Sequence, residues 1–200
     1  MNVKKLLSLR FYLPRSKEYA KMIQKDYEFN AAFRGCEILP QEFLNGREWK
    51  FIKAYRKIQC NQDNLWKHIY RKKLHKVMLE TGIDVEGNMS IGPGLIIGHW
   101  GRVVINGQTN FGSQFFLTHG VTIGRDIRGK RAGVPTFGDR VCIRANSTVV
   151  GKVYIGNDVL IAPNTFVNFD VPSHSVVVGN PASIHHRDNA TEGHIPNMNW

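Results

Sequence analysis

From about residue 89 onward, apolar side chains recur at every sixth position of the sequence. A period of six fits neither the repeat of an α-helix, about 3.6 residues, nor the simple alternation of a strand. It is typical of a solenoid of short strands and turns, in which each sixth side chain points inward and stacks on the coil below. The longest unbroken series is Phe137, Ile143, Val149, Ile155, Ile161 and Val167.

The front of the chain follows a different pattern, with apolar residues three or four positions apart. This spacing predicts amphipathic α-helices over 16–34, 41–58 and 62–81. Ser16 is a candidate N-cap for the first helix, and Gly82 is a plausible stop for the last. An amphipathic helix that packs on the solenoid is the simplest interpretation of this region.

The two patterns divide the chain into parts. We predict a mainly β fold, with an α-helical N-terminal region over 1–82, a parallel β-helix over 83–184 and a C-terminal tail over 185–200. The six-residue repeat is interrupted over 124–136, where there is no apolar anchor but three glycines and four basic residues. This segment is therefore expected to loop out of the solenoid.

A basic loop on a rigid scaffold is a natural place for ligand contacts. Arg125 and Arg128 are accordingly candidate substrate-binding residues. The alternative interpretation is an ordinary solvated loop.

Charge is distributed unevenly along the chain, whose formal net charge is +11. Residues 1–80 hold 18 Lys and Arg against 8 Asp and Glu, whereas residues 81–200 hold 9 against 8. A basic front can attract an anionic lipid, an acidic glycan or a phosphorylated ligand, or it can simply be a solvated helical surface. No nucleic-acid motif accompanies it, so nucleic acid is not expected as a partner.

The cysteines and the hydropathy pattern bear on location. Cys36, Cys60 and Cys142 are an odd number without metal-ligand spacing, which fits reduced thiols in the cytoplasm. There is no run of about 18 apolar residues, and the basic start of the chain is interrupted by Arg10 without a signal-peptide cleavage site. We expect a cytoplasmic protein without a bound metal.

One histidine lies in an unusual setting, the stretch GLIIGHWG. His99 follows the anchor Ile97 by two residues, so it should lie at a corner of the coil and face outward. His119 follows the anchor Leu117 in the same way. Either histidine can be an ordinary surface residue or can contact a ligand, and Trp100 can line an acceptor pocket or a subunit interface.

Three stretches carry a resemblance to a known family: GIDVEGNMSIGPGLIIGHWGRVVING, THGVTIG and VPSHSVVVGNPASI. With the six-residue repeat, they resemble the left-handed parallel β-helix acyltransferases, and within these the serine acetyltransferase branch. The resemblance covers about half of the chain. It implies a left-handed coil, acetyl-CoA as the acetyl donor, a hydroxyl as the acceptor, and homotrimers with active sites between subunits.

The resemblance also implies roles for individual residues. His99 aligns with the general base of the family, and Asp84 aligns with the carboxylate that orients it, with Glu86 as a near substitute. Such a base takes the proton of the acceptor hydroxyl, so that no protein nucleophile is required. Trp100 and His119 are candidate acceptor contacts, and small residues along the coil would leave room for the pantetheine, although they can also reflect packing alone. The residues implied for acetyl-CoA are Gly124, Ala145, Ala162, Gly179 and Arg187.

The chain departs from the serine acetyltransferase pattern at three places. Gly133 and Val134 stand where the family has the Arg-His pair that binds the amino-acid carboxylate, and Gly98 stands where it has an aspartate. The helical front is also shorter. These departures predict a sugar hydroxyl of a cell-surface polysaccharide or its precursor as the acceptor, with peripheral contact to an anionic membrane. Serine O-acetylation in cysteine biosynthesis and a catalytically inactive β-helix binding protein are the alternatives.

Overall fold

The computed structural model describes residues 17–61, 66–85 and 89–199. Ser16 and Glu86, for which a cap and an orienting role were predicted, lie outside the described residues. No helix among the described residues is long and apolar enough to cross a membrane.

Four helices form the front of the described chain. The segment 41–58, predicted as one helix, is divided at Gly46, whose extended backbone ends the first helix while its N–H donates to the Phe43 carbonyl. The last helix ends at Gly82, which adopts a left-handed conformation at φ +66 that suits glycine. The helices are α1 (Lys17–Phe33), α2 (Gln41–Asn45), α3 (Arg47–Gln59) and α4 (Lys67–Thr81).

The remainder is a left-handed parallel β-helix with three faces. The six-residue period predicts the coil, and the family resemblance implies its left hand. Sheet I has the order β13-β12-β10-β7-β4-β2, sheet II has the order β1-β3-β5-β8-β11, and sheet III contains β6 and β9. All neighbouring strands are parallel except β12 and β13. The strands are β1 (Ile83–Val85), β2 (Leu95–Ile97), β3 (Val103–Ile105), β4 (Phe115–Leu117), β5 (Thr122–Gly124), β6 (Thr136–Phe137), β7 (Val141–Ile143), β8 (Thr148–Val150), β9 (Tyr154–Ile155), β10 (Val159–Ile161), β11 (Phe166–Val167), β12 (Ser175–Gly179) and β13 (Ala182–His186).

The register of the strands locates the irregular coils. Thr148 pairs with Phe166, eighteen residues later, which is the regular coil. Thr122 pairs with Thr148, twenty-six residues later, because the predicted loop lies between them. Leu95 pairs with Phe115, twenty residues later, so the first coil is two residues longer than a regular one.

The interior of the coil is filled by the predicted anchors, which stack in rows along the axis. Ile97, Leu117, Ile143 and Ile161 form one such row in sheet I, and each is at most 1% exposed. Full burial of a side chain of this size contributes about 1.5–3 kcal/mol to folding. The repeating inward row is therefore the main source of stability for the β-helix.

The outer face of sheet I is also buried, which the six-residue pattern does not predict. Ile96, Phe116, Cys142 and Leu160 point outward there and form a second apolar cluster. This cluster is covered by side chains from distant parts of the chain, and one of them is Phe29 of α1. The other is Ile195 of the C-terminal segment, which packs on the same cluster.

A buried carboxylate fixes the C-terminal segment against the coil. Asp158 accepts hydrogen bonds from the backbone N–H groups of Ala190 and Thr191, at 2.9 and 3.1 Å, and from the Thr191 hydroxyl at 2.6 Å. His174 Nδ1 lies 3.0 Å from the same carboxylate. Burial opposes ionisation, but the hydrogen bonds from Thr191, His174 and Ala190 outweigh it and lower the pKa of Asp158.

An ion pair with no exposed surface attaches the helical front to the first coil. Arg56 of α3 donates to the Asp26 carboxylate of α1 at 2.7 and 2.9 Å. The same guanidinium donates to the carbonyls of Ile91 and Gly92, at 2.5 and 2.7 Å. The Asp26–Arg56 pair thus connects two helices to the segment that leads into β2.

Candidate functional site

The edge between sheets I and II gathers several of the predicted site residues. The strand register stacks the last residues of β2, β4, β7, β10 and the third residue of β12. Two positions beyond each of the first four, the chain turns the same corner of the coil, and the last residue of β12 continues the column. We call this column of residues the histidine edge: His99, His119, Ala145, Pro163 and Gly179.

The two histidines of this edge are neighbours. The rings of His99 and His119 lie 5.8 Å apart between centroids, in an edge-to-face arrangement at 64°. Both side chains are exposed, as their position two residues after an anchor predicts. The backbone continues the column, because Asn146 N–H donates to the His119 carbonyl and Asn164 N–H donates to the Ala145 carbonyl.

His99 lies in the corner that contains the two extra residues of the first coil. The chain returns to sheet II through Gly101, at φ +108, and Arg102, at φ +48. Val103 N–H then donates to the Gly82 carbonyl at the end of α4. The longer corner places His99 and Trp100 outside the regular surface of the coil.

A cation from the helical front lies over this corner. The Arg47 guanidinium is 4.1 Å from the centroid of the Trp100 ring, and Trp100 is still 46% exposed. Arg47 is the first residue of α3, the helix that also carries the buried Arg56. The sequence analysis missed Arg47, because a stacking contact between residues 53 positions apart leaves no local signal.

The residue before His99 has no room for a side chain in the present packing. A Cβ at Gly98 would lie 2.7 Å from Phe116 Cζ and 3.1 Å from Thr118 Cγ2. The Thr118 hydroxyl is buried and has no hydrogen-bond partner among the described residues. A side chain at position 98 would therefore overlap the Phe116 ring of the next coil.

Asp84 is not in contact with His99 within the single chain. It lies on the outward face of β1, is exposed, and has Val104 as its partner in sheet II. Among the described residues, no hydrogen bond or ion pair connects the Asp84 carboxylate to the His99 ring.

The residues predicted for acetyl-CoA divide into two groups. Ala145 and Gly179 belong to the histidine edge, and Ala162 is adjacent to it at the end of β10. Gly124 is the last residue of β5, the central strand of sheet II, and lies where the strands end away from the histidine edge; a Cβ there would be 3.1 Å from Val150 Cγ1. Arg187 follows β13 and lies at the end of the sheet I strands opposite the histidine edge, where its N–H donates to the His174 carbonyl.

The loop that the glycines predict forms a closed antiparallel turn. Asp126 and Gly133 exchange two backbone hydrogen bonds of 2.9 Å. Arg125 and Arg128 are both exposed on it, at the end of sheet II away from the histidine edge. Among the described residues, no group of three or more metal-ligating side chains occurs.

A left-handed β-helix of six-residue repeats, with an exposed histidine at a corner above small residues, is the architecture of the hexapeptide acyltransferases. Comparison with known proteins finds similarity to serine acetyltransferases within this class. A serine acetyltransferase of Helicobacter pylori is 39% identical over 102 residues, which cover 51% of this chain and 60% of that protein. Serine acetyltransferase 4 of Arabidopsis thaliana is 34% identical over 143 residues, which cover 66% of this chain and 39% of that protein.

Solved structures of serine acetyltransferases have the same fold as this chain. A serine acetyltransferase of Neisseria gonorrhoeae, crystallised in complex with serine, superposes with a TM-score of 0.76 at 24% identity, over 92% of this chain and 76% of that one. A serine acetyltransferase in complex with CoA gives a TM-score of 0.73 at 19% identity, over 85% of this chain and 71% of that one. No family profile matches the sequence.

The predicted resemblance to the left-handed β-helix acyltransferases, in their serine acetyltransferase-like branch, is confirmed. The prediction of a sugar acceptor in polysaccharide biosynthesis is wrong, because the relatives and structural neighbours above are serine acetyltransferases. That prediction rested on Gly133 and Val134, on Gly98 and on the shorter helical front. This chain spans 60% and 39% of the length of the two curated relatives.

Proposed function

We propose that this protein transfers the acetyl group of acetyl-CoA to the hydroxyl of L-serine, with His99 as the general base. The observation that carries the proposal is the histidine edge, where an exposed imidazole lies above small residues on a rigid coil. The relative crystallised with serine and the one crystallised with CoA support the identity of the two substrates.

The chemistry needs one base near neutral pH. His99 takes the proton of the serine hydroxyl as the oxygen attacks the carbonyl carbon of the thioester. The tetrahedral intermediate then collapses, the carbon–sulfur bond breaks, and the CoA thiolate receives the proton from the imidazolium. The products are O-acetylserine and CoA, and no residue of the protein is acylated.

Acetyl-CoA is proposed to lie along the histidine edge. Ala145 and Gly179, with Ala162 beside them, leave space for the narrow pantetheine chain next to His99. Gly124 and Arg187 lie on other edges of the same chain, so their predicted roles require a neighbouring subunit. A homotrimer, in which an edge of one coil faces the next coil, would meet that requirement.

The acceptor carboxylate needs a cationic partner that the extruded loop does not supply. Arg47 is proposed for this role, because its planar guanidinium is positioned by the Trp100 ring next to His99. His119, 5.8 Å from His99 between ring centroids, is proposed as a further contact to the acceptor. Asp84 does not contact His99 within one chain, so it is proposed to orient His99 across the contact between subunits of the trimer. Arg125 and Arg128 are proposed as loop residues that reach the substrates in the assembled protein.

The test is release of CoA from acetyl-CoA, followed with a thiol reagent, with L-serine as the sole acceptor. His99→Gln should lower kcat by a factor of about 10²–10⁴, the contribution of a positioned general base. The matched control is His75→Gln, an exposed histidine of α4 away from the edge, which should leave kcat unchanged. Arg47→Gln should raise KM for L-serine more than KM for acetyl-CoA, whereas Arg71→Gln on α4 should change neither.

The outcomes separate the competing functions. Acetyl-CoA binding without turnover on L-serine would refute the proposed acceptor. Turnover that survives His99→Gln would refute the proposed base. Acetyl-CoA binding without turnover on any hydroxyl acceptor would favour a β-helix that only binds its ligand.

A cytoplasmic location, with peripheral contact between the basic front and an anionic membrane, remains a proposal. Among the described residues, Cys36, Cys60 and Cys142 form no disulfide, which is compatible with a reducing compartment. Co-sedimentation with anionic liposomes that is sensitive to salt would support the contact, and its absence would refute it.

A further inference from the structure

The helical front contains a groove that the proposed reaction does not use. It lies between α3 and α4 and has a volume of about 370 Å³. Its walls carry amino groups from both helices, and its apolar floor is Ala54 and Val77. We call it the lysine groove, lined by Lys50, Lys53, Lys57, Lys73 and Lys76, with Glu80 as the acidic residue among its lining side chains.

The charges of this groove are unfavourable without a ligand. Like charges three and four positions apart on one helix repel, as Lys50, Lys53 and Lys57 do on α3. A concave surface also strengthens the repulsion, because water screens it less than on a convex one. Burial, together with the charges of Lys73 and Lys50, lowers the pKa of Lys53.

Among the described side chains that line the groove, one is acidic and five are lysines. Glu80 is 3.9 Å from Lys76, a long and exposed ion pair of small value. The Lys57 ammonium lies 5.8 Å from the centroid of the Tyr19 ring, a weak cation–π contact. The groove therefore keeps a large excess of positive charge, which an anion would neutralise.

The dimensions and the donor type indicate the chemistry of that anion. Lys50 and Lys57 are seven residues apart on one helix, which corresponds to about 10 Å along the groove. One phosphate group could meet only part of such a row, whereas two or three linked phosphates would extend along it. Lysine ammonium groups are compact point charges that suit phosphate oxygens, and a second copy of the same basic surface would be repelled.

We propose that the lysine groove binds an anion with two or more linked or clustered phosphate groups, at a site separate from the acetyl-CoA site. The groove is on the helices that precede the first coil, whereas the small residues proposed for acetyl-CoA lie along the later coils. The inference is independent of the proposed reaction, because binding is measured without acetyl donor or acceptor.

The experiment is titration calorimetry of the full chain with inorganic tripolyphosphate at about 0.1 M salt, where exposed charges are screened. Saturable binding is expected, with an affinity at least tenfold lower in Lys53→Gln/Lys73→Gln. The matched control is Arg71→Gln/Lys72→Gln, which removes the same charge from exposed positions of α4 outside the groove and should change the affinity less than twofold. Far-UV circular dichroism of each variant confirms that the helices are intact.

Further arms identify the source of the phosphates. Vesicles with a multiply phosphorylated headgroup that bind where tripolyphosphate does not, with the same dependence on Lys53 and Lys73, would assign the groove to a lipid. Equal loss of affinity in the groove variant and the control would refute a defined site, as would no binding of either probe. Displacement of tripolyphosphate by acetyl-CoA at stoichiometric concentration would refute a separate site.

Discussion

Replacement of Arg56 by methionine should detach the helical front from the β-helix. The guanidinium donates to both oxygens of Asp26 and to the carbonyl of Ile91, and neither charged side chain has exposed surface. Asp26 in turn accepts from the backbone N–H groups of Gly94 and Leu95, each at 2.9 Å. Arg56→Met keeps the length and most of the volume of the side chain, but it leaves the carboxylate buried without its cation.

Arg56→Met is expected to lower the free energy of unfolding substantially. Removal of one partner from a buried ion pair typically destabilises a protein by about 3–5 kcal/mol, because the remaining charge is uncompensated. The Ile91 carbonyl loses a charged donor as well but keeps the Gln59 side-chain amide, so the middle of that range, about 4 kcal/mol, applies here. For a chain of this size, a loss of about 4 kcal/mol lowers Tm by roughly 10 °C.

Urea denaturation followed by circular dichroism measures this loss, and hydrogen exchange locates it. The N–H groups of Gly94 and Leu95 should exchange faster in Arg56→Met, while the buried amides of the later coils should not. The control is Arg71→Met, a change of the same kind at an exposed position of α4, which should cost less than about 0.5 kcal/mol. A cost below about 1 kcal/mol for Arg56→Met would show that the ion pair does not hold the front in place.

Three other predictions concern the edge, the C-terminal segment and the thiols. Gly98→Asp should lower stability by about 1–3 kcal/mol in thermal unfolding, because its Cβ would overlap the Phe116 ring, and unchanged stability would contradict the packing. Asp158→Asn should speed hydrogen exchange of the C-terminal segment near neutral pH. In the unchanged protein the same release should occur on acidification below about pH 4, because a lowered pKa gives stability that is lost as pH falls through the folded-state value. A thiol reagent at pH 8 should modify Cys36 first and Cys142 last, since burial raises the pKa of Cys142 to about 12; equal rates would contradict this.

The β-helix was predictable because its information is local and repeated. Each anchor lies six residues from the next one, so a short stretch of sequence is enough to identify it. Ile143 and Ile161 are examples, and both are fully buried. The long loop was predictable for the same reason, since a gap in the repeat marks it. The two extra residues of the first coil were visible only as a change of frame between Ile97 and Ile105, and the register of the strands was needed to assign them to the His99 corner.

The contacts between distant segments were not predictable. Phe116 and Cys142 are not polar, so the sequence does not mark the outer face of sheet I as exposed. It contains no signal, however, that Phe29 and Ile195 cover these two side chains. The same holds for Asp26 and its partner on α3, thirty residues later. Such pairs depend on how the helices pack, and an individual sequence contains no repeat from which that packing could be inferred.

The acceptor illustrates why a missing residue is weak support for a change of substrate. Gly133 and Val134 cannot bind a carboxylate through their side chains, but a site requires only that some cation reach the right place. In the structure, Arg47 lies beside the His99 corner, and it begins the helix that carries the buried Arg56 nine residues later. The ion pair that fixes this helix therefore also fixes the guanidinium over Trp100. A substrate contact supplied by the helical front in this way would depend on the front's attachment to the coil, so Arg56→Met should raise KM for L-serine even though Arg56 lies far from solvent.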